Sequence, residues 1–98
     1  MTETPPYTFE WDAAKAFSNR RKHGISFEEA VSAFGDPLSR TIADPDHSEE
    51  EARSILIGQS KRARLVIVVH TERGDRIRII SARLASKREK REHEEEQG

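Results

Sequence analysis

Cysteine is absent from this chain of 98 residues, which excludes disulfide bonds, thiolate metal sites and a cysteine nucleophile. Aromatic residues make up only 6% of the chain, too few for extensive stacking on nucleic-acid bases. No apolar run approaches the roughly 20 residues that a membrane-spanning helix needs. Residues 1–6 lack the basic region and apolar stretch of a secretory signal. Together these absences predict a cytoplasmic protein without a membrane partner.

Charge is abundant and unevenly distributed. Charged residues account for 36% of the chain and the net charge is only −1. Residues 61–91, however, contain 11 basic and 3 acidic side chains, which gives this segment a net charge of +8. Such a segment is suited to nucleic acid or to an acidic protein partner. Overall neutrality argues against tight, sequence-independent binding of DNA.

The first half of the chain carries two helix signals. Asp12 is suited to cap a helix from Ala13 to about Lys22, and Gly24 is suited to end it. We expect Phe17 to lie on the apolar side of this first helix.

The second helix signal is a Ser-x-x-Glu capping box formed by Ser26 and Glu29. It predicts a helix from Phe27 to about Phe34, which Gly35 and Pro37 would stop. Phe27, Ala30, Val31 and Phe34 recur at helical spacing and are expected to face the core.

The remaining patterns are typical of strands. Short strands are predicted at Tyr7–Trp11 and Leu38–Ala43, and stronger ones at Arg53–Ser60, Arg64–Thr71 and Arg76–Arg83. The sequence therefore predicts one α+β domain, in which two N-terminal helices pack on one face of an antiparallel sheet and a charged helix follows at the C-terminus.

Pairing the last three strands as a meander predicts Thr71 opposite Arg76 and Arg53 opposite His70. The face under the helices would then hold Ile55, Ile57, Val66, Val68, Ile77 and Ile79, with Arg53, His70, Ser81 and Arg83 towards its ends. The more open face would hold Leu56, Leu65, Ile67, Val69 and Ile80, with Ser54, Thr71, Arg76 and Arg78. A loop of odd length would exchange the faces, and this alternative stays open.

The boundaries of the domain follow from composition. Residues 1–6, with two adjacent prolines, are expected to be a loose lead-in, and residues 7–92 to form the domain. Residues 84–98 favour helix, but no apolar side chain follows Ala85 to hold that helix against a core. The acidic residues 93–98 are therefore expected to be a frayed tail.

The chain offers phosphate-binding groups and bases but no metal motif. Asp44, Asp46 and His47 could bind a cation, although Asp-Pro-Asp-His is far more often a turn. Residues suited to hold phosphate are Arg53, Arg78 and Arg83, with Lys22, Arg76, Lys87 and Arg88 as further RNA contacts. Ordinary salt bridges with the many acids of the chain are the alternative for these side chains.

Two histidines could transfer protons. His23 would stand at the end of the first helix, and His70 beside Arg53, whose charge would lower its pKa. Cleavage of RNA needs a base for the 2′-hydroxyl and cations for the phosphorane. Both histidines also have plain structural explanations, as a helix-end and a sheet-edge residue.

Several motifs occur together in a recognisable order. They are Phe9-Glu10-Trp11-Asp12, Asn19, Lys22-His23-Gly24-Ile25, Phe27-Glu28-Glu29-Ala30, Phe34, Asp44-Pro45-Asp46-His47-Ser48, Glu51, Arg53, Gly58, Ser60, Arg76-Ile77-Arg78-Ile79-Ile80-Ser81-Ala82-Arg83 and Arg88-Glu89. Over about residues 7–92 the chain resembles the BrnT family of toxins from bacterial type II toxin–antitoxin modules. It departs from that pattern at His93, where an aromatic residue is expected.

The resemblance implies a RelE-like fold and a ribonuclease activity that halts translation. It also implies neutralisation by a BrnA-like antitoxin, through which alone the protein would reach operator DNA. We expect a metal-independent endoribonuclease without a cofactor. A non-catalytic module that binds an antitoxin and co-regulates transcription is the alternative, and a small interaction domain unrelated to RNA is a third.

Overall fold

Three helices and a five-stranded sheet make up the protein, for which a computed structural model describes residues 7–45 and 52–97. The expected lead-in at residues 1–6 lies outside the described residues, as do Asp46 and His47. The elements are β1 (Thr8–Glu10), α1 (Ala13–His23), α2 (Phe27–Ser32), a 3-10 helix (Ala33–Gly35), β2 (Arg40–Ala43), β3 (Ser54–Gln59), β4 (Leu65–Arg73), β5 (Arg76–Leu84) and α3 (Lys87–Gln97). The sheet order is β1-β5-β4-β3-β2, and all pairs are antiparallel except β1 with β5. The α+β prediction is confirmed.

Helix α1 begins and ends where its capping residues predict. The Asp12 side chain accepts a hydrogen bond of 3.0 Å from the Lys15 N–H. Gly24 adopts a left-handed conformation with φ of 72° and donates its N–H to the Arg20 carbonyl at 2.8 Å. A residue with a side chain would be strained at that φ, so glycine fixes the end of the helix.

The prediction that Phe17 lies on the core side of α1 is wrong, because its side chain is 66% exposed. Asn19 is buried instead. Its Nδ2 donates to the carbonyls of Ala82 (2.8 Å) and Ile25 (3.1 Å), and its Oδ1 accepts from the Ala82 N–H (3.1 Å). Strand β1 pairs with β5 only along Arg76–Arg78. Ala82 lies beyond this pairing, so β1 does not bond its N–H and C=O groups. The Asn19 amide bonds both groups instead.

Helix α2 uses half of the predicted capping box. Ser26 Oγ accepts from the Glu29 N–H at 3.0 Å. The Glu29 carboxylate does not return to Ser26 but accepts from Ser60 Oγ at 2.7 Å and from Arg64 Nε at 2.9 Å. The Glu29 carboxylate thus bonds the charged Arg64 rather than the nearby Ser26 N–H, because a hydrogen bond between charged groups is stronger.

The core lies between the sheet and the first two helices. Its buried members are Ile25, Phe27, Ala30, Ala33, Leu56, Val66, Val68, Ile77, Ile79 and Ala82. Strand β3 contributes Leu56, so the prediction that Ile55 and Ile57 face the helices is wrong. Ser54 rather than Arg53 pairs with His70, because residues 60–64, an odd number, connect the paired Gln59 and Leu65.

The register of β4 and β5 also differs from the prediction. Thr71 lies opposite Arg78 rather than Arg76, because the strands continue to a two-residue turn between Arg73 and Arg76. The pairing shifts between Val69, opposite Ser81, and His70, opposite Ile79. Ile80 is thus an extra residue in β5, a β-bulge. The bulge changes the alternation of β5, so that Ser81 and Arg83 share a face with Arg78, not with Ile77 and Ile79 as predicted.

Helix α3 lies on the face opposite α2. Ser86 and Glu89 form a complete capping box, with Ser86 Oγ accepting from the Glu89 N–H (3.1 Å) and Glu89 Oε1 accepting from the Ser86 N–H (2.8 Å). The helix ends at Gln97, and His93 is buried. Fraying of residues 93–98 stays a prediction. A groove of about 250 Å³ separates α3 from Ile42, Ile55, Ile57 and Ile67. Among the described residues, no helix has the length and apolar character needed to cross a membrane.

Candidate nucleic-acid interface

Arg53, Thr71 and Arg78 form one row across the sheet, on the face that α2 does not cover. Thr71 pairs with Arg78, and continuing the β3–β4 register by one residue puts Arg53 opposite Thr71. Thr71 Oγ1 and Arg53 Nε are both buried, and neither has a hydrogen-bond partner in the described part of the chain. Unsatisfied buried polar atoms are rare and often mark a functional site. The row therefore brings two of the predicted phosphate-binding arginines together.

An acid from the neighbouring strand partly neutralises this row. Glu10, which pairs with Arg78 in the β1–β5 register, has Oε2 at 3.3 Å from Arg78 Nη1. Its Oε1 is 3.7 Å from Arg76 Nη1. The Arg78 side chain is 36% exposed, so a phosphate could still reach it. Both ion pairs are in partial contact with water and are correspondingly weak.

Arg83 lies on the same face and is engaged by α3. Its Nη1 and Nη2 donate to the two carboxylate oxygens of Glu89 at 2.7 and 2.8 Å. These bonds are the largest cause of the low pKa of Glu89, about 2. The guanidinium fork thus holds a planar anion in this structure, which is the geometry in which it would also hold a phosphate.

A shallow cleft of about 330 Å³ separates α1 from the bulged part of β5. It is lined by Ala14, Lys15, Ser18, Asn19, Lys22, His23, Ile80 and Ser81. The cleft contains two lysines and a half-buried histidine, so it is suited to an anionic substrate. The pKa of Asp12, which caps α1, is lowered first by the Lys15 N–H and also by the charges of Lys15 and Arg78. The cleft is close to the arginine row, because its residues Ile80 and Ser81 follow Arg78 in β5.

His70 is remote from this surface. Its side chain is 1% exposed, and its ring packs edge-on against Phe34 with 4.9 Å between centroids. Nδ1 lies 3.3 Å from the Val68 carbonyl. Burial lowers the pKa of His70, so the expected direction is right, but the expected neighbour is wrong because Arg53 lies on the other face.

The other predicted RNA contacts are dispersed. Lys87 and Arg88 begin α3 and are exposed, with Arg88 Nε bonded to Glu92 Oε1 at 3.0 Å. No three histidine, aspartate or glutamate side chains gather as possible metal ligands within residues 7–45 and 52–97. The expectation about Asp44, Asp46 and His47 falls partly outside those residues, and metal independence stays a prediction.

The excess of basic side chains on α1 is a feature that the sequence analysis does not identify. Between Ala13 and His23 the helix carries four cations, Lys15, Arg20, Arg21 and Lys22, and no acid. The acid-rich composition of residues 1–60 conceals this cluster. Counting charge by predicted helix rather than by half of the chain would have found it.

A family comparison and a structural comparison point to the same proteins. The chain matches the family described as the ribonuclease toxin BrnT of type II toxin–antitoxin systems over residues 11–89. It is also similar to the crystal structure of the Brucella abortus ribonuclease toxin BrnT. The TM-score is 0.57 and the identity 25%, with coverage of 83% of this chain and 99% of the other. None of the curated protein sequences compared with the chain matches it significantly. Since the family match spans most of the domain, this chain belongs to the BrnT family of ribonuclease toxins of type II toxin–antitoxin systems.

Proposed function

We propose that the protein cleaves RNA on the face that carries the arginine row, and so inhibits translation. The observation that carries this proposal is the alignment of Arg53, which directly precedes β3, with Thr71 of β4 and Arg78 of β5. In this row two buried polar atoms are unsatisfied in the described part of the chain. Guanidinium groups on a rigid sheet are suited to bind consecutive phosphates of a single strand and to stabilise charge that develops at phosphorus. Arg83 would join them, and Arg76, Lys87 and Arg88 would lie at the periphery of the bound strand.

In the proposed reaction His23 is the proton-transferring group. It accepts the proton of a 2′-hydroxyl as that oxygen attacks the adjacent phosphorus, and the 5′ oxygen of the next nucleotide leaves and takes up a proton from water. The products are a 2′,3′-cyclic phosphate and a 5′-hydroxyl. His23 lines the cleft with Lys22 and Ser81, where Lys22 would neutralise the phosphorane. His70, the other histidine suited to this role by sequence, is 1% exposed on the opposite face and would instead position β4.

Such a mechanism needs no metal, because cations of the protein replace the Lewis acid. We propose that the activity is metal-independent and cytoplasmic. We also propose that it is neutralised by a BrnA-like antitoxin, through which alone the protein would contact operator DNA. The charged surface that attracts RNA is equally suited to an acidic antitoxin segment.

The test measures cleavage of a defined single-stranded RNA by the purified protein. We expect a 2′,3′-cyclic phosphate end and no cleavage of the same sequence with a 2′-deoxy residue at the cut site. His23→Gln should lower kcat without changing the melting temperature. Lys61→Ala, which removes an exposed cation from the β3–β4 loop, is the matched control and should cleave normally.

Two results would overturn the proposal. Cleavage of the 2′-deoxy substrate would exclude the 2′-hydroxyl as nucleophile. Wild-type protein that binds antitoxin but leaves every RNA intact would favour the non-catalytic alternative, in which Glu10 and Glu89 are permanent partners of Arg78 and Arg83.

A further inference from the structure

Phe17 is the most exposed large apolar side chain among the described residues, at 66%. It lies in the middle of α1, one turn after Ala14, which lines the cleft between α1 and β5. The Phe17 ring stays largely in water, so it contributes little to folding. It is therefore available to a partner from outside the chain.

The surroundings of Phe17 are cationic. Arg21 lies over the ring with its Cζ 5.7 Å from the centroid. Arg20 and Lys22 follow in the same turn, and Lys15 lies near the start of the helix, with no acid between Ala13 and His23. An apolar ring surrounded by cations would suit a partner that is itself flat and apolar but carries negative charge. A nucleotide has both properties, because its base has an aromatic face and its phosphate is anionic.

The cleft of the proposed chemistry lies on another side of the same helix, which Ala14 joins to the side that carries Phe17. Lys22 and His23 line the cleft with Ser81, and the bulge at Ile80 opens β5 towards the same cleft. A phosphodiester in the cleft would carry its flanking nucleotide out along α1. The next base in either direction would then reach the exposed face of that helix.

We propose that Phe17 is a stacking platform for an unpaired nucleobase that flanks the scissile phosphate. This inference rests on the proposed ribonuclease function and names a contact for its substrate, single-stranded RNA. Arg21 would stack on the same base or bind the phosphate beside it, since a guanidinium does both. Stacking is tolerant of base identity, so the contact would raise affinity more than it would set sequence preference.

The experiment measures binding of a fluorescent single-stranded RNA that is fully 2′-O-methylated and thus cannot react through its 2′-hydroxyl. Phe17→Ala should weaken binding about five-fold or more, whereas Phe17→Trp should keep or raise the affinity. Leu38→Ala, which removes an exposed apolar side chain (57%) from the segment between the 3-10 helix and β2, should have no effect. Melting temperatures of the three variants should equal that of the wild type, because neither side chain is buried.

A second oligonucleotide isolates the stacking contact. Its abasic sites replace the bases next to the expected cut site but keep the phosphates. Wild type should bind it as weakly as Phe17→Ala binds the intact strand, and Phe17→Ala should lose no further affinity. If Phe17→Ala binds both strands like the wild type, Phe17 is not a base platform.

Failure of this inference and failure of the proposed function remain distinguishable. Wild-type protein that cleaves unmodified RNA while Phe17→Ala binds RNA normally would overturn only the stacking role. Phe17→Ala that binds and cleaves RNA normally but resists the antitoxin would also overturn it, since Phe17 would then be a protein contact. Absence of any wild-type cleavage would count against the proposed function itself.

Discussion

Glu29 and Arg64 form a two-point ion pair that joins α2 to the start of β4. Arg64 Nε donates to Glu29 Oε2 at 2.9 Å, and Arg64 Nη2 donates to Oε1. Ser60 Oγ provides a third hydrogen bond to the carboxylate, which is only 3% exposed. These bonds, with that from Arg64 the largest cause, hold the pKa of Glu29 below its usual value. The fold thus depends on a buried charge that is fully partnered.

Arg64→Ala should lower the free energy of unfolding by about 3 kcal/mol at neutral pH, because it leaves a buried carboxylate without its cation. Chemical denaturation measures this loss. Arg62→Ala is the control, since Arg62 is 67% exposed and lies 3.9 Å from Glu29, and it should cost less than about 1 kcal/mol. Equal losses for the two variants would contradict the prediction.

The same pair predicts a pH dependence. A carboxyl whose folded pKa is depressed stabilises the protein above its unfolded pKa, here 4.5, and the contribution is lost as the pH falls through the folded pKa. The difference in stability between wild type and Arg64→Ala should therefore be constant above about pH 5.5 and shrink under more acidic conditions. A difference that grows on acidification would show that the pair does not act through the charge of Glu29.

Phe27→Ala should cost about 3–5 kcal/mol of stability, because Phe27 is fully buried in the core. Phe34 is half-buried against Phe9 and His70, so Phe34→Ala should cost less than Phe27→Ala. Phe17→Ala should leave the free energy of unfolding nearly unchanged. Denaturant titration of the three variants in parallel tests the assignment, and a reversed order would mean that α1 packs through another face.

The arginine face gives the prediction that bears most directly on function. Arg78→Ala should leave thermal unfolding nearly unchanged but reduce RNA cleavage on the order of 100-fold and abolish growth arrest. Arg78→Lys should rescue only in part, since it keeps the charge and loses the planar fork. We expect the same loss of activity at Arg53 and Arg83, and at Arg83 also a loosening of α3, because Arg83→Ala removes the partner of Glu89. Variants that fold normally and remain fully toxic would show that these arginines are not phosphate ligands.

Removal of divalent metal should leave cleavage intact. We expect equal rates in EDTA and in Mg²⁺ after correction for the effect of salt on RNA binding. The measurement is the initial rate on one RNA under both conditions at matched ionic strength. Activity that disappears in EDTA and returns with one particular divalent ion would contradict this and direct attention to Asp44, Asp46 and His47.

Helix α3 should be sensitive to strong acid through Glu89. Because the pKa of Glu89 is lowered to about 2, its contribution is complete above the ordinary value of 4.5 and is lost as the pH falls towards 2. NMR signals of Lys87 to Gln97 should shift in that range in the wild type. In Glu89→Gln they should already differ at pH 5. Identical spectra for both proteins at pH 5 would mean that Arg83 does not hold the helix.

Local rules were sufficient to predict the elements of the fold. Asp12, Gly24 and Ser26 cap or end helices where the sequence places them, because a cap depends on only a few neighbouring residues. The five strands also lie where branched apolar residues predict them. Helix α3 lies within the predicted residues 84–98, and pairing of Glu89 to Arg83 and the burial of His93 connect it to the rest of the protein where no apolar residue does.

Strand pairing could not be predicted with the same rules. One additional loop residue before Leu65 reversed the sides of β3, and the bulge at Ile80 reversed those of the last part of β5. Arg53, Arg78 and Arg83 were expected on two different faces and lie on one. Long-range partners such as Arg64 for Glu29 and Ala82 for Asn19 have no local signal, because they depend on which strands meet.

The contact of Asn19 with Ala82 has a consequence for solubility. The middle of β5 would otherwise present a free N–H and a free C=O to any extended chain, and such exposed edges promote aggregation. The Asn19 amide bonds both groups of Ala82, so an extended segment of another molecule cannot pair with β5 at this position. The opposite edge, β2, is only four residues long and begins with a charged side chain, Arg40. Asn19→Ala should thus free both groups of Ala82 and promote self-association of the protein through β5.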